Sequence, residues 1–192
     1  MSKNSQQVLM KESVIDDSIV AYMVNRKWAV DEKTERKRYL FRLAQKSKSD
    51  PDFAGKIGGI LIYNQVMEAF LCDIIDMSIH YIKAEVWPVS VSLEVELDKA
   101  TFGKLIEYFK QFATVESNRE VILSFLKKFN IKRNEVVHDL FDIRDLDRLA
   151  LELQEYAELA DKIVRLLADY DRQVYENFCE LEKRVDFRKY LK

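Results

Sequence analysis

Four glycines and two prolines in 192 residues restrict this chain more than any other feature. Average usage would supply about 13 and about 10 of them. Sandwiches, barrels and glycine-loop nucleotide folds all need many tight turns, so this scarcity excludes them. Long helices joined by few connections remain. Charged residues at 33% and hydrophobic ones at 48% suit amphipathic helices and are too apolar for a disordered chain.

The hydrophobic spacing gives the elements. Residues 1–50 read as an N-terminal helical extension of two helices, roughly 8–24 and 31–46, and residues 51–192 as the main bundle. The second of these helices carries Glu32, Lys33, Glu35, Arg36, Lys37 and Arg38, a run that predicts a solvated face. The polar break Ser47 to Pro51 ends it. A helix over 53–85 follows, with Ile57, Ile60, Leu61, Met67, Leu71 and Ile74 on one face. Asn64 and Glu68 interrupt that stripe one turn apart, so they need partners, either within a structural network or lining a pocket. Gly58-Gly59 predicts close helix packing.

Trp87-Pro88 closes this helix, because the residue before proline disfavours the helical region. Val89, Val91, Leu93, Val95 and Leu97 then alternate with polar residues, which predicts a short β-like segment at 89–97. It is either one arm of an edge ribbon or an extended connector. Thr101 caps a helix to about Ala113, and Ser117 with Glu120 has capping-box spacing for another over about 118–129. A short helix follows at about 132–141. From Asp142 or Asp145 to about Val185, apolar residues recur in alternating steps of four and three, a heptad seam broken only by Asp171. A helix of that length either breaks near residues 168–171 or projects toward another chain. The fold expected is all-α, an antiparallel up-and-down bundle of four to five helices.

A net charge of −2 provides no global field for nucleic acid, so any such contact must rest on a local patch. Cys72 and Cys179 stand far apart with no C-x-x-C, which fits a reducing compartment. Two histidines, His80 and His138, are too few for a multi-histidine metal cage. The start of the chain lacks the apolar core of a signal peptide, and acidic and amide residues interrupt the stretch Ile57 to Ile82. These features predict a cytoplasmic protein with no membrane partner, no metal and no cofactor.

One stretch could carry chemistry: Lys132-Arg133-Asn134-Glu135-Val136-Val137-His138. The planar guanidinium of Arg133 matches a phosphate and stabilises charge developing on it. His138 titrates near neutrality and can move the proton of a 2′-hydroxyl or of a leaving oxygen. Asn134, four residues before His138, shares its helical face and can orient the imidazole or touch the phosphate. Lys127, Lys128 and Lys132 form a weak candidate RNA-binding cluster beside them, although an exposed helix end explains it equally well.

The segment Arg133 to His138 resembles the R-x4-6-H signature of HEPN domains, in which a polar residue, often asparagine, follows the arginine. The layout over roughly 53–170 is similar too, with the signature lying between Lys127-Lys128-Phe129 and a long final helix. The resemblance implies a dimerising helical bundle and, in many members, metal-independent endoribonuclease activity in toxin–antitoxin or phage-defence systems. It makes Arg133 and His138 catalytic and Asn134 a supporting polar residue, with RNA as substrate. A separately encoded antitoxin or regulatory protein is then a further partner. Two alternatives remain open: a non-catalytic HEPN-type module binding a nucleotide or partner protein, and a purely structural bundle.

Overall fold

The computed structural model describes residues 17–87, 91–139 and 146–186, with the backbone alone described for 17–20, 23–31, 136–139 and 146–148. Five helices account for nearly all of it: α1 (Asp17–Lys48), α2 (Phe53–Glu85), α3 (Phe102–Phe112), α4 (Arg119–Asp139) and α5 (Leu146–Arg184). The protein is an all-α bundle, as the scarcity of chain-reversing residues requires.

Contacts between helices fix their directions. Along α2, Tyr63, Tyr81 and Glu85 meet Asp161, Phe178 and Arg184 of α5 in the same order, so these two helices run parallel. Along α1, Tyr22, Lys37 and Phe41 meet Asp76, Asp73 and Tyr63, so α1 runs opposite to both. Residues 86–101 return the chain down the bundle, α3 climbs again, and α4 descends from Arg119 to Arg133, which meets Asn64 of α2. The up-and-down order is therefore kept when the extended return counts as one pass.

Packing explains why α2 lies at the centre. It contacts α1, α3 and α5, and buries Tyr63, Met67, Leu71, Ile74 and Ile75 almost completely. By length and composition alone α2 would suit a membrane span, but here its apolar residues are the bundle core. Gly59 allows α1 to approach closely, since a methyl group there would lie 2.8 Å from the Ser47 side chain on α1. Gly58 faces open space, so only the second glycine of the pair serves packing.

α5 contains 39 residues without a break, about 58 Å of helix. The seam predicted for it is buried from Leu153 to Leu181, which is 2% exposed. Neither the expected break nor the expected projection occurs, because α2 lies alongside it to its far end, where Arg184 pairs with Glu85 at 2.6 Å. The seam is thus consumed inside the chain and is not available to a second copy.

Three other expectations change. Residues 17–48 form one helix rather than the two predicted over 8–24 and 31–46; no proline or glycine interrupts them, and residues 1–16 lie outside the described residues. Residues 91–97 are not a strand: Val91, Leu93, Val95 and Leu97 are half-buried and the residues between them exposed, which needs only extended backbone. The connector reading holds there, while 88–90 lie outside the described residues. The two short helices expected around 118–129 and 132–141 are one helix through Asp139, entered from Asn118 at φ 60°. Residues 140–145, with the capping aspartates predicted for α5, lie outside the described residues. Thr101 does cap α3, accepting from the Lys104 N–H at 3.3 Å.

Two tyrosines tie loop and helix together. The Tyr170 hydroxyl donates to the Val115 carbonyl and accepts from the Val115 N–H, both at 2.8 Å, which fastens the α3–α4 loop to α5. Burial pushes its pKa up to about 12. Tyr156 stacks on Phe129 with ring centres 4.4 Å apart and donates to the Phe129 carbonyl, and burial raises its pKa as well.

Candidate functional site

Arg133 lies in the second half of α4, not at a helix start as its motif suggested. Arg133 is half-buried between α4, α2 and α3. Its Nη1 donates to Asn64 Oδ1 at 3.3 Å, and its guanidinium carbon lies 5.5 Å from the centre of the Phe102 ring. Asn64 Nδ2 in turn donates to Glu68 Oε1 at 2.8 Å. The polar pair that interrupts the α2 stripe thus finds its partner in the motif arginine. The structure brings together two features that the sequence presented separately.

Asn134, Lys127 and Lys128 are exposed, and Lys132 is half-buried and paired with Glu155 at 3.4 Å. The side chain of His138 lies outside the described residues, although its backbone continues α4. Positions five apart on one helix stand about 140° apart around its axis, so positions 133 and 138 occupy different faces. Positions 127, 131, 134 and 138 fall instead within a stripe about 60° wide. On that stripe Lys127 and Asn134 are exposed, and Ile131 is 58% exposed between them. A large aliphatic side chain left in water on the stripe that carries positions 134 and 138 is a candidate contact for another molecule.

A second polar locus lies between α1, α2 and α5, and there the sequence reading of Lys37 as solvated is wrong. Lys37 is 6% exposed. Its Nζ pairs with Asp73 at 3.0 Å and with Asp171 at 3.4 Å, and lies 4.2 Å from the centre of the Phe70 ring. Asp171 breaks the heptad seam because a buried cation needs a carboxylate at that station. Lys33 meets Asp73 from the exposed side at 3.5 Å.

These ions floor a cleft of about 720 Å³ between α1 and α5, open to solvent. At one end Arg165 lies over Phe41, its guanidinium carbon 5.6 Å from the ring centre. Arg165 Nε donates to Asp161 Oδ2 at 2.8 Å, while Gln45 and Tyr63 donate to Asp161 Oδ1 at 3.0 and 3.2 Å. Burial alone would raise the Asp161 carboxyl, but the Arg165, Gln45 and Tyr63 hydrogen bonds outweigh it and hold its pKa below 3.8. At the other end Tyr22 stacks on His80, 3.6 Å between ring centres, and donates to Asp76 Oδ2 at 3.1 Å.

The sequence signals for this cleft were Asp171 within an apolar seam and Asp73 on a core helix. Both are readable only once a cation from α1 is known to lie between them. No group of three or more metal-ligating side chains is found among the described residues. Comparisons with protein families, with curated proteins and with solved structures return no match to this chain.

Proposed function

We propose that the protein is a HEPN-like, metal-independent endoribonuclease that works as a homodimer in the cytoplasm, in a toxin–antitoxin or phage-defence role. The observation that carries this reading is the setting of Arg133. It is steadied by Asn64 and the Phe102 ring, yet among the described residues it spends only one of its donors, so a phosphate can take the others. In the reaction the adjacent 2′-oxygen bonds to phosphorus while the bond to the 5′-oxygen breaks, leaving a 2′,3′-cyclic phosphate and a 5′-hydroxyl. His138 takes the 2′ proton and passes it to the leaving 5′-oxygen, and Arg133 stabilises the charge developing on the phosphoryl oxygens.

The 140° between positions 133 and 138 argues for a composite site, with the arginine of one copy serving beside the histidine of the other. Exposed Ile131 on the motif stripe supports pairing there. Lys127 and Lys128, exposed on the same helix, suit an RNA backbone.

The test is cleavage of single-stranded RNA in the presence of a chelator. Products ending in cyclic phosphate, intact DNA controls, and inactive Arg133→Ala and His138→Ala variants are expected. Unchanged cleavage by either variant removes that residue from the reaction. Nucleotide-induced thermal stabilisation without turnover would favour the non-catalytic binding module. The Asn64–Glu68 tether supports that second reading, since a tethered arginine can bind a phosphate without reacting.

A further inference from the structure

We propose that the cleft between α1 and α5 binds an amphipathic organic anion, an apolar body carrying one carboxylate or phosphate head. Its volume of about 720 Å³ lies within the range that small-molecule sites occupy. The walls and floor supply the apolar contact through Phe41, Phe70, Met77, Val164 and Ala168.

Charge decides the head group. Among the described residues, five cations and four carboxylates line the cleft. Asp73 and Asp171 are neutralised by Lys33 and Lys37, and Asp169 by Arg172 at 3.1 Å. That leaves Asp76 at the tyrosine end against Arg38 and Arg165 at the phenylalanine end. The acidic partners of those two arginines, Glu35 and Asp161, do not line the cleft. A negative head therefore seats at the phenylalanine end.

Arg165 is built for this task. Asp161 holds its Nε edge, and Gln45 and Tyr63 fix Asp161 in turn. The Nη groups meet no acceptor among the described residues, so a planar oxyanion can bridge them. Arg38 and Arg165 are exposed while Glu35 and Asp161 each hold one edge of them, so each guanidinium keeps an outward edge for an incoming anion.

Titration calorimetry of the full chain with decanoate, decyl phosphate and decyltrimethylammonium tests the proposal. Saturable one-site binding of at least one anion is expected, at least tenfold tighter than the cation, and the tighter anion identifies the head group. Arg38→Gln with Arg165→Gln weakens that binding about tenfold or more. Ala168→Trp, a substitution at an exposed position that fills the cleft, removes it, with circular dichroism verifying the fold. No saturable anion binding, equal binding of the cation, or binding untouched by Ala168→Trp would each overturn the proposal.

Discussion

Two of the cations that cross between helices in this bundle, Lys37 and Arg133, are treated oppositely. Lys37 is buried, paired with two carboxylates and laid over a phenylalanine. Arg133 is half-buried, bonded to one neutral amide and laid over a phenylalanine. Removing an ion from water is costly unless its charge is met, so the saturated lysine belongs to the scaffold. An arginine held by a neutral side chain keeps its charge directed outward. A cation's partners, rather than its burial, separate the strut from the working group.

That contrast can be broken most forcefully at Lys37. Lys37→Met removes the buried cation that Asp73 and Asp171 share, and urea unfolding should reveal a loss of about 3 kcal/mol. Adding Asp171→Leu should restore more than half of it. Equal stability of the single variant and the parent would mean that the ion cluster is not structural.

Tyr170→Phe comes next, at about 2 kcal/mol, because it leaves both the N–H and the carbonyl of Val115 without the hydroxyl. A smaller effect is expected at acid pH. The carboxyl pKa of Asp161 is lower in the folded chain than its ordinary 3.8. The stability it contributes is therefore present above that value and is lost as pH falls through the folded pKa. Asp161→Asn should flatten the acid limb of the stability profile; an unchanged limb would contradict the assignment. Smallest of all in stability is Arg133→Gln, within about 1 kcal/mol, although the same change should lower RNA cleavage at least a hundredfold. A large loss of stability with modest loss of cleavage would make Arg133 a second strut.

The sequence was most legible where periodicity alone decides. The bounds of α2, the Thr101 cap and the α5 seam follow from spacing, because apolar burial is read by every turn of a helix. Helix continuity was less legible. The spacing placed breaks at residues 25–30 and 130–131, where α1 and α4 run on without interruption. At the candidate site, the motif arginine and the α2 amide pair were each visible, while their hydrogen bond spans 69 residues and left no trace in spacing. Lys37 was misread for the same reason: a charge run on a helix looks solvated until the opposing carboxylates are located.

The most direct measurement mixes two inactive proteins, the Arg133→Ala variant and the His138→Ala variant, and assays RNA cleavage with a chelator present. A site that takes its arginine from one copy and its histidine from the other is rebuilt in mixed dimers, and activity should return to about a quarter of the parent's. Two variants that are each inactive and stay inactive after exchange of subunits would contradict the composite site.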